Sequence, residues 1–339
     1  MLNITMFSAA DSVKGQGVGS VYTELVRLLR TREADQITLK INKYGRCDIS
    51  HYHTVNFPYY LSTFMPGRGR KVGFVHFLPE TLEGSLKLPK IAKAVFYRYV
   101  IAFYKRMDQL VVVNPSFIPK LEAYGISKDK VTYIPNFVSA EEFHPADDQQ
   151  RQTLRKQYGY PDKFTILGSG QVQVRKGVFD FIELAKRHPE IQFIWTGGFS
   201  FGRITDGYEK LKQVVDNPPA NLSFPGIIDR DKLVDYYNMA DLFLLPSYNE
   251  LFPMSVLEAF STHTPVLLRD LDLYHAIIEG DYAAAKDVEE MDQIISNLSS
   301  NSDALLALEK KAEQGADYYS EERLAKIWLQ FYTEQAKRG

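Results

Sequence analysis

Short apolar runs alternate with stretches of helical periodicity along the whole chain, the pattern of parallel sheets with crossover helices. In the first half this pattern predicts strands at 2–7, 36–41, 72–76, 109–113 and 131–134, with helices near 18–31, 87–106 and 115–124. In the second half it predicts strands at 164–167, 192–196, 222–224, 241–245 and 266–268. Each half reads as a Rossmann-like α/β domain. The segment 136–150, with Pro135 before it, Pro145 inside it and a run of Asp and Gln at its end, is the predicted linker. The domains are therefore placed at 1–142 and 150–317. Near the C-terminus, Leu324, Ile327, Trp328, Phe331 and Tyr332 fall at helical spacing, so 318–339 is predicted to be an amphipathic helix that packs on the first domain.

Length supports this division, because 339 residues exceed one comfortable core and suit two α/β domains. With 45% hydrophobic and 24% charged residues, the composition is that of a globular protein. Cys47 is the only cysteine, so an intrachain disulfide and a thiolate metal cluster are excluded and a reducing compartment is expected. The first seven residues read as a strand rather than a secretion signal, and no stretch is long and apolar enough to span a bilayer. Charge is uneven. The first 140 residues hold 19 Lys and Arg against 10 Asp and Glu, the remainder 21 against 32, giving +9 and −11. A basic half of this kind faces an anionic surface, or the imbalance is chance.

The sharpest chemical signal is the stretch from Pro246 to Glu258, where Glu250 and Glu258 flank Leu251-Phe252-Pro253 after an apolar strand. Pro253 favours a helix start, which leaves Glu250 in the loop and Glu258 in the helix. A helix N-terminus beside carboxylates can hold a sugar or a phosphate, because the amides donate and the carboxylates accept. The alternative is a solvated Glu250 and a capping or surface Glu258. In Gly168-Ser-Gly170 through Arg175-Lys176-Gly177, two cations sit between a strand and a helix and suit a diphosphate leaving group, or are simply solvated. Gly15, Gly17 and Gly19 follow the first strand but lack the full dinucleotide fingerprint. His76 is expected at the carboxyl edge of the first sheet, where ligands of open α/β sheets bind. His51 and His53 read as buried structural histidines, and no carboxylate stands at metal-ligand spacing near the three. No metal site is expected.

Taken together, these motifs resemble the family 4 retaining glycosyltransferases, a GT-B architecture of two Rossmann-like domains whose parallel sheets face a cleft. The resemblance rests on the Gly15–Gly19 turn, His76, Ile134-Pro135-Asn136, the Arg175-Lys176-Gly177 loop, residues 226–237 and the spaced glutamates. The stretches 75–85, 248–254 and 269–274 are more specifically similar to bacterial glycosyl-glucosyl-diacylglycerol synthases, which add a second hexose to a glucolipid. The resemblance implies a UDP-hexose donor, UDP-galactose or UDP-glucose, a glucosyl-diacylglycerol acceptor, and no cofactor. It implies that Glu258 binds the ribose, Glu250 with the backbone of Leu251 and Phe252 holds the hexose, and Arg175 and Lys176 bind the diphosphate. Gly17 and Gly170 would approach the phosphates, the backbone near Ile227 and Ile228 the uracil, and His76 the transferred sugar. Three positions depart from the family pattern: Gly170 is followed by Gln171 rather than Arg, Leu251-Phe252-Pro253 replaces small residues, and Phe137 replaces a glycine.

Between Leu86 and Arg106 there are six basic residues and no acid. Lys90, Lys93, Arg98 and Lys105 gather on one side of the predicted helix, with Ala92, Val95, Phe96, Tyr99 and Phe103 opposite, and Lys87 precedes them. Such a helix binds an anionic membrane surface, placing the protein peripherally on the cytoplasmic face of the cell membrane, or else packs its apolar side on the core. Two rival functions are a transferase of polysaccharide assembly, acting on a soluble or polyprenyl-linked sugar, and a non-catalytic basic binding protein. Nucleic acid is not an expected partner, since no helix-turn-helix, zinc or stacking motif is present.

Overall fold

The computed structural model describes residues 1–10, 17–79, 89–199, 202 and 207–339, with the backbone alone described at Gly17, Val18 and Lys90. The chain divides into two compact units, one drawn from Met1–Phe137 and Glu321–Gly339, the other from Val138–Ser320. Each contains a six-stranded, wholly parallel sheet.

In the first unit the strands are β1 (Leu2–Phe7), β2 (Ile37–Ile41), β3 (Ile49–Tyr52), β4 (Arg70–Val75), β5 (Gln109–Val112) and β6 (Val131–Tyr133), in the order β2-β1-β3-β4-β5-β6. Strands covered on both faces read as continuous apolar runs, as in β5, where all four residues are buried. β3 lies outside the expected strands. Its Ser50 and His51 look polar in sequence but are fully buried, Ser50 donating from Oγ to Arg68 O at 2.7 Å and His51 Nδ1 lying 2.7 Å from the Tyr332 hydroxyl. The C-terminal helix Glu321–Lys337 belongs to this unit. It buries Leu324, Trp328, Phe331 and Tyr332, each contributing about 1.5–3 kcal/mol, and Arg27 and Arg70 bond its Glu321 and Gln335.

In the second unit β7 (Thr165–Ser169), β8 (Gln192–Thr196), β9 (Leu222–Gly226), β10 (Leu242–Leu245), β11 (Val266–Arg269) and β12 (Ala283–Ala285) run in the order β12-β11-β10-β7-β8-β9. From β7 the connections run outward through β8 to β9, then cross back to β10 and run the other way. The order therefore reverses between β7 and β10, and in such sheets ligands bind beyond the carboxyl ends at that reversal. The all-alanine edge strand β12 was not expected either. Helix Val178–Arg187 buries Val178, Phe181, Ile182, Leu184 and Ala185.

Candidate active site

The two loops that leave the reversal of the second sheet carry the charged residues. Gly177 brings them together: it adopts φ 69°, and a Cβ there would stand 2.1 Å from Pro246 O, so only glycine lets the loop after β7 close on the loop after β10. Tyr248 N then donates to Arg175 O at 2.8 Å. As a result Lys176 and Glu250, 74 positions apart, form a buried ion pair. Burial pushes the Glu250 carboxyl up, but the charges of Lys176 and Arg175 and the lysine hydrogen bond outweigh it and hold it below the usual carboxylate range. For Lys176 burial wins and its ammonium is pulled down, with Arg175 acting the same way against the attraction of Glu250. The physical picture is one shared charge pair in a poorly solvated place.

Arg175 is half-buried; its Nη1 donates to Asn249 O at 3.3 Å, while its Nε is buried without a hydrogen-bond partner. Gly170 takes φ 149° and donates from N to Thr196 O at 2.9 Å, which tucks the loop after β7 against β8. Gln171, standing where the family pattern has Arg, accepts from Gln173 Nε2 at 2.7 Å.

Helix Met254–Ser261 follows Pro253, which stands one position before the first helical residue rather than in it. Phe252 is buried and Leu251 half-buried. Glu258 lies in this helix, 4% exposed. Tyr237 donates its hydroxyl to Glu258 Oε2 at 2.7 Å, and Arg230 Nη1 reaches Oε1 at 3.4 Å. Burial raises the Glu258 carboxyl above its ordinary value, more than Arg230 and Tyr237 lower it. Ile228 is half-buried in the turn between β9 and helix Arg230–Met239, beside the exposed Ile227.

Two groups of residues around these loops escape sequence reading. Arg230, Tyr237 and Glu142 surround Glu258. Arg269 clamps the Glu250 loop: its Nε donates to Pro246 O at 3.1 Å, its Nη1 to Lys286 O at 2.8 Å, its Nη2 pairs with Asp180, and its guanidinium lies 4.2 Å from the Tyr248 ring centre. Tyr248 completes the clamp by donating to Asp180 Oδ2 at 2.7 Å. The available signal was an arginine closing the apolar strand Val266-Leu-Leu, because a cation at the carboxyl end of a buried strand must find partners there.

In the first unit His76 follows β4, and its Nε2 lies 2.9 Å from His53 Nδ1. The His76 ring stacks on Phe74 at 4.4 Å, and Phe74 in turn stacks on Trp328 at 6.2 Å. Burial pushes His76 down to about 3; it does the same to His51, helped by the nearby His76, and carries His53 well below the ordinary value. Burial thus disfavours the charged form of all three imidazoles. Among the described residues no group of three or more His, Cys, Asp or Glu is placed to hold a metal ion. Gly17 opens helix Gly17–Thr31, and Gly15 lies outside the described residues.

The basic helix spans Lys90–Lys105, shorter than expected, and Lys87 lies outside the described residues. Its apolar positions do not share one fate. Val100, Phe103 and Tyr104 are buried, whereas Ile91 and Val95 are 82% and 63% exposed, so the helix packs on the unit more closely toward its C-terminal end. Arg98 and Lys105 are exposed, and Lys93 is half-buried 5.4 Å from the Tyr97 ring centre. None of the described helices is long and apolar enough to cross a membrane.

The sequence matches the family described as Glycosyltransferase Family 4 over residues 15–142 and that described as Glycosyl transferases group 1 over residues 150–315. It is 53% identical over 340 aligned residues to the alpha-galactosylglucosyldiacylglycerol synthase of Streptococcus pneumoniae, covering 100% of this chain and 91% of that one. Among solved structures it superposes on sucrose-phosphate synthase from Thermosynechococcus elongatus with a TM-score of 0.81 at 16% identity, covering both chains completely. Anabaena HepE in complex with UDP-glucose follows with a TM-score of 0.80 at 12% identity, covering 98% of this chain and 100% of that one. Two parallel α/β units, two successive family matches and a full-length relative agree: the chain belongs to the family 4 glycosyltransferases of GT-B fold.

Proposed function

We propose that this glycosyltransferase moves a hexose, galactose or glucose, from a UDP-sugar to glucosyl-diacylglycerol at an anionic membrane surface, with retention of configuration. The observation that carries the donor half is the cation pair Arg175 and Lys176 at the reversal of the second sheet, with Lys176 buried against Glu250. Full-length likeness to a synthase of galactosylglucosyl-diacylglycerol supports the acceptor half.

In this reading the diphosphate meets Arg175 and Lys176 beside the Gly170 turn, and Glu258 accepts from the ribose hydroxyls. The uracil lies along the backbone near Ile228, and Glu250 with the backbone of Leu251 and Phe252 holds the hexose. The bond from the anomeric carbon to the phosphate oxygen breaks as the acceptor oxygen bonds that carbon from the same face. The acceptor proton passes to the departing phosphate, and UDP leaves. Positive charge fixed in a poorly solvated site stabilises the growing phosphate charge more than water would. In the first unit, His76, whose charged form burial disfavours, can hydrogen-bond an uncharged sugar.

Membrane contact is supported by a face of the first unit on which exposed apolar side chains lie among cations. Ile91 and Val95 of the basic helix are joined through the Tyr99–Phe57 ring contact at 6.2 Å to Phe57, Leu61 and Phe64, all exposed. An amphipathic surface of this kind enters the interfacial region of an anionic leaflet.

Radiolabelled UDP-galactose and UDP-glucose, offered with glucosyl-diacylglycerol in mixed micelles, test the reading. One of them is expected to label a two-sugar glycolipid. Labelling only of a soluble or polyprenyl-linked sugar would move the chain to polysaccharide assembly.

A further inference from the structure

Helix Arg230–Met239 sends two side chains to one carboxylate. Arg230 and Tyr237 are seven positions apart, two turns on one face, and they reach opposite oxygens of Glu258, Arg230 at Oε1 and Tyr237 at Oε2. Arg230 does not stand alone. Its Nε donates to Glu142 Oε2 at 2.7 Å, shorter than its 3.4 Å reach to Glu258, and its guanidinium lies 5.0 Å from the Phe143 ring centre. Residues 142 and 143 thus anchor the cation, which in turn faces the glutamate.

We propose that Arg230 is a positioning residue of the donor site, anchored by Glu142 and keeping the Glu258 carboxylate ionised and aimed as the acceptor for the ribose hydroxyls. The proposal rests on reading Glu258 as the ribose residue. Each carboxylate oxygen has two lone pairs, so Arg230 and Tyr237 can each take one while leaving capacity for a hydroxyl on both oxygens. The groups facing Glu258 are Arg230 and Tyr237 from helix Arg230–Met239 and, at longer range, Glu142, whose charge opposes ionisation. Helix Ser302–Tyr318 meets the helix of Glu258 through Gly315 against the Phe260 ring, an apolar contact. Burial already raises this carboxyl, and Arg230 is the cation that restrains the rise. Without it the carboxyl would rise further, and once protonated one of its oxygens would become a donor where the ribose needs an acceptor.

The test is calorimetric titration of UDP across pH 5.5–9 into wild type, Arg230→Gln, Arg230→Lys and Glu258→Gln, with the melting temperature of each checked. Arg230→Gln is expected to bind UDP on the order of tenfold more weakly at the acid end of this range and to regain affinity as pH rises, its profile displaced upward from that of wild type. Arg230→Lys is expected to restore part of the wild-type profile. Glu258→Gln should bind weakly and lack the part of the pH dependence that Arg230→Gln displaces. Wild-type affinity in Glu258→Gln would overturn the ribose reading and this proposal with it. A weak Glu258→Gln beside an Arg230→Gln that matches wild type, or loses the same factor at every pH, would overturn only the role of Arg230.

Discussion

Toward the carboxyl edge of the first sheet, His51 and His53 are buried and His76 half-buried among aromatic rings that include Phe74 and Trp328, and burial disfavours the charged form of all three imidazoles. At the carboxyl edge of the second, burial also disfavours the charged forms of Lys176 and Glu250, yet Glu250 is held below its usual range because a cation stands against it. The two units share a six-stranded parallel sheet and differ in what the loops and neighbouring helices bring to it. A buried ionisable group keeps its charge only where a counter-charge from another segment reaches it, and otherwise becomes neutral. The proposed function uses this difference, with an uncharged sugar at the first unit and a diphosphate at the second.

Removing the cation should break this contrast most severely. In Lys176→Ala turnover is expected to fall by about 10²–10³, and folding stability by roughly 3–5 kcal/mol, because Glu250 is left buried and uncompensated. Lys176→Met combined with Glu250→Met should regain most of the melting temperature and none of the turnover. Wild-type turnover in either variant would remove Lys176 from the donor site.

The next largest effect concerns the basic first unit. Replacing Lys87, Lys90, Lys93 and Arg98 with Gln keeps good helix formers and removes four charges, each worth about 1 kcal/mol near an anionic leaflet. Sedimentation with anionic vesicles should weaken by about a hundredfold or more, as it should for wild type in high salt. Undiminished vesicle binding would make the helix a structural one.

The neutral histidines leave a smaller trace. A folded-state pKa below the unfolded one means that the unfolded chain takes up protons first, so stability is complete above about pH 6.5 and is lost as pH falls toward 3. His51 alone should cost on the order of 2 kcal/mol by pH 5. His51→Phe should flatten that part of the urea-midpoint profile, and an unchanged slope would contradict the assignment. The smallest expected effect is none: excess chelator should leave activity intact, since in the proposed mechanism Arg175 and Lys176 meet the phosphate charge. Activity lost to chelator and restored by Mg²⁺ or Mn²⁺ would contradict this.

Strands were legible wherever burial on both faces made them apolar, as in Leu242–Leu245 and Gln192–Thr196. β3 was not, because Ser50 and His51 are buried polar residues whose partners, Arg68 O and Tyr332, lie 18 and 281 positions away. Helix Phe57–Ser62 was missed as well, being one and a half turns long with Pro58 in its first turn. Arg175, Lys176, Glu250 and Glu258 stood out by spacing and by their place after strands. What stabilises them did not, since Arg230, Glu142, Asp180 and Arg269 join the site only through the fold.

The contrast between the two edges is tested most directly by titrating UDP, which carries ribose and diphosphate but no hexose, into Glu258→Ala and His76→Ala. Glu258→Ala is expected to lose about 1.5–3 kcal/mol of binding free energy, roughly ten- to a hundredfold in affinity. His76→Ala is expected to bind UDP as wild type does. Unchanged affinity in Glu258→Ala together with a loss in His76→Ala would place the nucleotide at the first unit and contradict the account.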